Sequence, residues 1–226
     1  MDFFLEIIES DGHSIEAGDN AEVVTAALEE WGFLATQLED MEETSEEPME
    51  AFVEQLESTD VSVQIAAGEN IALLFEKSYT EREDDEEPET SADGSDEEDG
   101  SDMIKRYTVY RRKDQLIHTL EALSKASSKR MSKKDRKSLH SNFADILNSV
   151  ERPFRGPRYS TAIDEETGKA YGSRMKVSVG GKHTMMINKW WQLIRLKSLK
   201  RVLQSGLFIH YEDNEVVFDS LPVMFE

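Results

Sequence analysis

Cysteine is missing from all 226 residues. That excludes disulfides, thiolate nucleophiles and cysteine-based zinc sites, and it is compatible with a reducing compartment. No stretch approaches the roughly 18 apolar residues of a membrane span. The opening MDFFLEIIES has no basic flank ahead of a long apolar run, so it does not read as a secretory signal. An intracellular protein without a membrane partner is expected, in the nucleus, the cytoplasm or both. Catalytic patterns are missing too: there is no G-x-S-x-G, no H-E-x-x-H, no carboxylate pair in a glycosidase setting and no EF-hand calcium loop. His13, His118, His140, His183 and His210 stand far apart, and none has a second ligand at metal-binding spacing. GGKHT at 180–184 resembles a phosphate loop, but Lys176 stands where the first glycine is required and His183 replaces the magnesium-holding Ser or Thr. No enzyme activity, cofactor, metal or small-molecule substrate is expected.

Bases are nearly absent from one half of the chain. Residues 1–102 hold 34 Asp and Glu against only Lys77 and Arg82, whereas 103–226 hold 24 bases against 13 acids. The halves therefore carry −32 and +11, within a net charge of −21. A basic surface can exist inside an acidic molecule, and this split points to binding more than to chemistry.

In the acidic half, Val23, Val24, Ala27, Leu28, Trp31, Leu34, Ala35 and Leu38 recur at three- and four-residue steps, which predicts a helix over 21–40. Met49, Phe52, Val53 and Leu56 mark a second, with Pro48 in its first turn. Asp60 is placed to cap a third, VSVQIAAGENIALLFEKS, whose apolar residues surround much of its circumference. Two antiparallel helices, a short turn with Asp at the second cap, and V-x-V-x-x-A-A suggest a HEAT or armadillo unit. An ordinary helical bundle is the rival reading. The acids of this half read as solvated faces, with recognition by a basic partner as the functional alternative.

Residues 81–102 contain no large apolar residue and a dense run of like charge, so they cannot bury enough surface to offset ordering entropy. Disorder is expected there. Ser95, followed by Asp96, Glu97 and Glu98, suits an acid-directed kinase. The tract is either a plain linker or an electrostatic mask over the basic half.

Past the tract, KRYTVYRRK interleaves bases with Tyr107 and Tyr110, a pattern able to pair with phosphates and stack on bases or simply to lead into a helix. Leu116, Ile117, Leu120 and Leu123 mark that helix. The cluster Lys129, Arg130, Lys133, Lys134, Arg136 and Lys137 suits nuclear import or nucleic acid, and Leu139, Phe143, Ile146, Leu147 and Val150 predict a helix over 133–151 that ends before Pro153. Alternation at Met175, Val177 and Val179, then Gly180-Gly181 and a run to Ile187, reads as a β-hairpin. KWWQLIRLKSLKRVLQS predicts a helix over 189–205 stopped by Gly206. Trp190, Leu193, Leu196, Leu199 and Leu203 form its apolar stripe, and Lys197, Lys200 and Arg201 fall together on another face, either as an anion-contacting set or as a solvated side.

The expected fold is mainly α. A HEAT/armadillo-like helical repeat remnant occupies 1–78, a disordered acidic linker 79–103, a basic helical region 104–152, and a small α+β C-terminal domain with one β-hairpin 153–226. Two small cores are expected.

Three segments carry a family resemblance: IAAGENIALLFE at 65–76, FADILNSVE at 143–151, and MMINKWWQLIRLKSLKRVLQSGLFIHYEDNEVVFDSLP at 185–222. They resemble the interferon-related developmental regulators, and Trp190, Leu199, Leu203, Gly206, His210, Asn214 and Phe218 stand where that family's closing motif places them. The resemblance implies the C-terminal portion of a longer protein, the end of a helical-repeat region joined to a small C-terminal domain. It also implies a non-enzymatic regulator docking on protein complexes in transcriptional co-regulation. The alternatives are an RNA- or ribosome-associated regulator of translation and a truncated, inactive member.

Overall fold

Two helix starts in the acidic half are set by side-chain caps. The computed structural model describes residues 1–82, 103–126, 132–159, 175–181 and 183–225. In it, the Asn20 side chain accepts the N–H groups of Glu22 and Val23 at the start of α2 (Ala21–Ala35), and Asp60 accepts those of Ser62 and Val63 at the start of α4 (Val61–Lys77). Each cap satisfies helix donors that have no intrahelical acceptor. Preceding and between them lie α1 (Asp2–Glu9) and α3 (Glu46–Gln55). Gln55 ties α3 to α1 by donating from Nε2 to the Ile8 carbonyl and to Asp11, both at 2.8 Å.

The central element is α4. It packs on α2, α3, the later helix α6 (Lys133–Glu151) and the closing helix α7 (Trp190–Leu203), which explains why its apolar residues surround so much of its circumference. Small residues permit the close approaches. An added Cβ at Gly68 would lie 2.7 Å from Ile146 Cδ1 of α6, and one at Gly32 only 2.2 Å from Asn70 Oδ1. Asn70 itself crosses from α4 to α2, donating to the Leu28 carbonyl at 2.8 Å.

Two short strands bracket the acidic tract. In them β1 (Tyr79–Glu81) runs antiparallel to β2 (Met103–Lys105), with Thr80 opposite Ile104. The expected linker over 79–103 is thus paired at both ends, and the disorder expected of its interior, residues 83–102, lies outside the described residues. Next come α5 (Lys113–Lys125), packed on α6, and a three-stranded antiparallel sheet. Its hairpin is β3 (Met175–Val179) and β4 (His183–Ile187), with Gly180 and Gly181 both at positive φ in the turn, where a side chain would be strained. The third strand, β5 (Met224–Phe225), pairs with β4 after the short helices α8 (Leu207–Asp213) and α9 (Glu215–Asp219). Gln204, at φ 48°, turns the chain out of α7 two residues before the expected stop at Gly206.

Buried side chains from Leu5 to Leu221 form one hydrophobic cluster, in place of the two small cores expected. The reason is α7, which lies across α2 and α4 and joins the acidic helices to the C-terminal sheet. Gly156 shows how tight the junction is: a Cβ there would meet the Asn188 carbonyl oxygen at 2.0 Å, just before α7 begins. Because backbone must give way, Gly156→Ala is expected to lower the unfolding free energy by about 1–3 kcal/mol. Urea titration followed by far-UV circular dichroism measures it.

Candidate interaction surfaces

The N-terminus of α7 is held by a buried acid of α4. Glu76 Oε2 accepts the N–H of Trp190 at 2.8 Å and Oε1 accepts that of Trp191 at 3.1 Å, so one carboxylate satisfies two donors at the positive end of a helix dipole. Burial raises the Glu76 carboxyl to about 6; the hydrogen bonds from Trp190 and Trp191 and the charges of Lys189 and Lys77 oppose the rise without cancelling it. Trp190, 1% exposed, donates from Nε1 to Ser149 Oγ at 2.7 Å, and that hydroxyl donates to the Arg155 carbonyl at 2.6 Å. Further along α7, Arg195 lies over the Trp191 ring at 4.6 Å and donates to the Thr36 carbonyl at 2.6 Å and to its hydroxyl at 3.0 Å. That places a cation at the negative end of α2.

The three bases singled out on this helix turn toward the protein itself. Lys197 pairs with Glu69 of α4, and Arg201 pairs with Glu29 and, at 2.6 Å, with Glu30 of α2. Lys200 donates to the Ser178 carbonyl of β3 at 3.0 Å. The charge split along the sequence is in this respect an internal complementarity: acids of the first helices receive bases of the last long one. Arg201→Glu is expected to cost about 1 kcal/mol, because partly exposed pairs are screened by solvent. The loss should shrink with added salt and be recovered when Glu29 and Glu30 are changed to Lys, as read from thermal melts.

Other bases face outward. Lys133, Lys134 and Lys137 are exposed on the first turns of α6, where Ser132 Oγ accepts the Asp135 N–H at 3.1 Å, while Arg136 between them is half-buried. Lys129, Arg130 and Ser95 lie outside the described residues. The structure brings Lys134 and Lys137 together with Lys197 of α7 and Arg158 around a groove of about 340 Å³, with Leu193 and Met175 among its apolar lining. Asp145 also lines it and accepts the backbone N–H of Arg158; burial raises its carboxyl above the ordinary range, against the pull of that bond and of the Arg158 charge. Arg158, at φ 54°, is held in the left-handed region.

The family-motif residues divide between core and surface. Trp190 is buried, while Leu199 and Leu203 are half-buried against the core. Gly206 ends the short 3-10 turn after α7, and His210 is exposed on α8. Asn214 caps α9 by accepting the Val216 N–H at 3.0 Å. Phe218 stays half exposed, its ring 5.0 Å from that of Tyr211. Val202, Ile209, Val216, Val223 and Phe225 are exposed as well, so the closing helices present apolar side chains to solvent. Among the described residues, no three or more His, Asp or Glu side chains gather to hold a metal ion, and no helix is long and apolar enough to cross a membrane.

Sequence reading missed Glu76, Ser149 and Arg195. A signal existed for Glu76: an acid directly after IALLF, on the helix with the most continuous apolar circumference, has to be paired or capped. Ser149 and Arg195 carry no comparable mark, because each is a single polar position in an amphipathic helix, where polar residues are ordinary.

The family model of interferon-related developmental regulators matches residues 1–151, ending where α6 ends and before the closing motif. The chain is 31% identical over 205 residues to an uncharacterized protein of Schizosaccharomyces pombe, covering 91% of this chain and 41% of that protein. It is 27% identical over 209 residues to interferon-related developmental regulator 1 of Sus scrofa, covering 92% of this chain and 37% of the relative. To interferon-related developmental regulator 2 of Mus musculus it is 28% identical over 164 residues, or 73% of this chain and 28% of the relative. The chain thus spans less than half the length of each of these relatives.

Proposed function

The chain belongs to the interferon-related developmental regulator family, and from that premise we propose that it is a non-enzymatic regulatory adaptor docking on protein complexes in transcriptional co-regulation. It works inside the cell, in the nucleus, the cytoplasm or both. The observation that carries this reading over direct nucleic-acid binding is the inward use of Lys197, Lys200 and Arg201, which are engaged by Glu69, the Ser178 carbonyl, Glu29 and Glu30. A helix whose cations are committed to its own scaffold contributes little to a phosphate-tracking surface. The family premise supplies the regulatory role, and the helical scaffold supplies a rigid platform for it.

Affinity purification of the tagged full chain, at low and high salt and with nuclease treatment, tests the reading. The expected result is a set of transcription-associated proteins that survives both treatments. A set dominated by ribosomal proteins and lost with nuclease would overturn it.

A second reading, an RNA- or ribosome-associated regulator, draws on the outward bases Lys133, Lys134 and Lys137. It requires affinity for RNA that falls steeply with salt. Absence of co-sedimentation with ribosomes at low salt would contradict it.

A further inference from the structure

We propose that the groove between α6 and α7 receives an acidic peptide segment of a partner protein, holding one apolar side chain between flanking carboxylates or phosphoserines. This rests on the adaptor reading and names the chemistry of its partner. Three cations converge on the groove from two separate places, Lys134 and Lys137 from α6 and Arg158 from the loop after it, while Lys197 of α7 borders it with its charge paired to Glu69. Lys134 and Lys137 are neighbours one turn apart, both exposed, and among the described residues neither makes an ion pair or a hydrogen bond. Like charges held this close repel, and an anion between them relieves the repulsion. Asp145, the one acid among the described residues that line the groove, accepts the backbone N–H of Arg158, and burial raises its carboxyl above the ordinary range. Lys134 and Lys137 are left without a carboxylate partner among the described residues, so the field at their end of the groove stays positive.

The apolar wall decides the class of anion. Half-buried Met175 supplies the apolar wall, backed by Leu193, which is 5% exposed, in a groove whose volume of about 340 Å³ lies within the ~300–1,000 Å³ of ligand sites. A free phosphate would leave that wall unused. A nucleic acid strand would look for a ring on which to stack its bases, and the aromatic residue lining the groove, Trp190, is 1% exposed. A peptide with a leucine or methionine among acids satisfies both parts: the side chain covers the wall and the acids meet the lysines and arginine. Lys197 borders the groove with its charge already paired to Glu69, so the anion contacts fall to Lys134, Lys137 and Arg158.

Fluorescence anisotropy on the full chain tests the proposal with a short labelled peptide in which one leucine sits among glutamates. The expected result is saturable binding that weakens about tenfold or more in Lys134→Glu/Lys137→Glu, by like-charge juxtaposition. Changing the probe's leucine to serine should weaken binding as well, while Arg111→Glu, an exposed reversal in another part of the chain, should leave it unchanged. Both lysines are exposed, so the double variant should melt as the parent does, and Lys134→Ala/Lys137→Ala provides a milder second variant. No binding, binding untouched by the groove variants, or equal loss in Arg111→Glu would each overturn the proposal. A single-stranded RNA of equal charge that binds more tightly than the peptide and is lost in the same variant would assign the groove to nucleic acid instead. The two readings fail separately: a peptide that does not bind while the purified partner set is intact sinks the groove, whereas a failed partner set with peptide binding intact sinks the adaptor.

Discussion

Trp190→Ala is expected to remove about 3–5 kcal/mol of stability, the range for deleting a large aromatic side chain from a core. The ring is 1% exposed, and its Nε1 donates to a hydroxyl that is itself part of a buried chain ending at the Arg155 carbonyl. The substitution therefore opens a cavity at the point where α7 meets α6, and it strips a donor from Ser149. Against a total of about 5–15 kcal/mol for a domain, the loss should show as a large fall in the urea midpoint. Trp190→Phe separates the two contributions, because it fills most of the space but cannot donate. A loss for Trp190→Phe near the alanine value would place the weight on the hydrogen bond, and a small one on packing.

Glu76→Ala is expected to cost about 2–4 kcal/mol, since the Trp190 and Trp191 N–H groups lose their acceptor at a buried helix start. Glu76→Gln keeps an acceptor and should cost less. The pH dependence distinguishes them further. The carboxyl titrates near 6 in the folded chain, above its ordinary 4.5, so the folded state holds that proton more tightly than the unfolded state does. The stability this group contributes is fully present below about pH 4.5 and is lost as pH rises through about 6, a change of about 2 kcal/mol. The difference in unfolding free energy between the parent and Glu76→Gln should accordingly move in favour of Gln between pH 4.5 and 7. A difference independent of pH would show that Glu76 titrates normally and that its burial is not what the geometry indicates.

Elements with a long apolar stripe and a clear cap were legible in the sequence. The helix over 133–151 appears with those bounds, because five apolar positions repeat along it and Pro153 prevents its extension. Asp60 caps α4 as its position indicates, and the glycine turn of the hairpin falls at Gly180 and Gly181. What escaped depends on partners far away in the chain. Strands β1 and β2 are three residues each and stabilise one another across the acidic tract, so neither carries a pattern of its own. At α1 the pattern is only eight residues long, although its faces differ clearly: Leu5, Ile7 and Ile8 turn inward while Asp2, Glu6 and Glu9 are exposed.

The same limit governs the candidate site. Helical spacing places Lys197, Lys200 and Arg201 on one face, but spacing does not say whether that face meets water or acidic helices some 130 to 170 residues away in sequence. Charge told which half carries the bases, and only packing tells which bases are left over. Lys134 and Lys137 of α6 remain outward and meet Arg158 on the groove, a meeting that no local pattern announces.

Central to all of this is that α7 belongs to the same cooperative unit as the acidic helices. Native-state hydrogen exchange measures it directly, by comparing opening free energies at Leu193, Ile194 and Leu196 in α7 with those at Ile71, Leu73 and Leu74 in α4, all of them buried. One shared core predicts that the two sets exchange with the same global opening energy and respond equally to denaturant. Opening of the α7 set several kcal/mol below the α4 set, with a separate denaturant dependence, would contradict it.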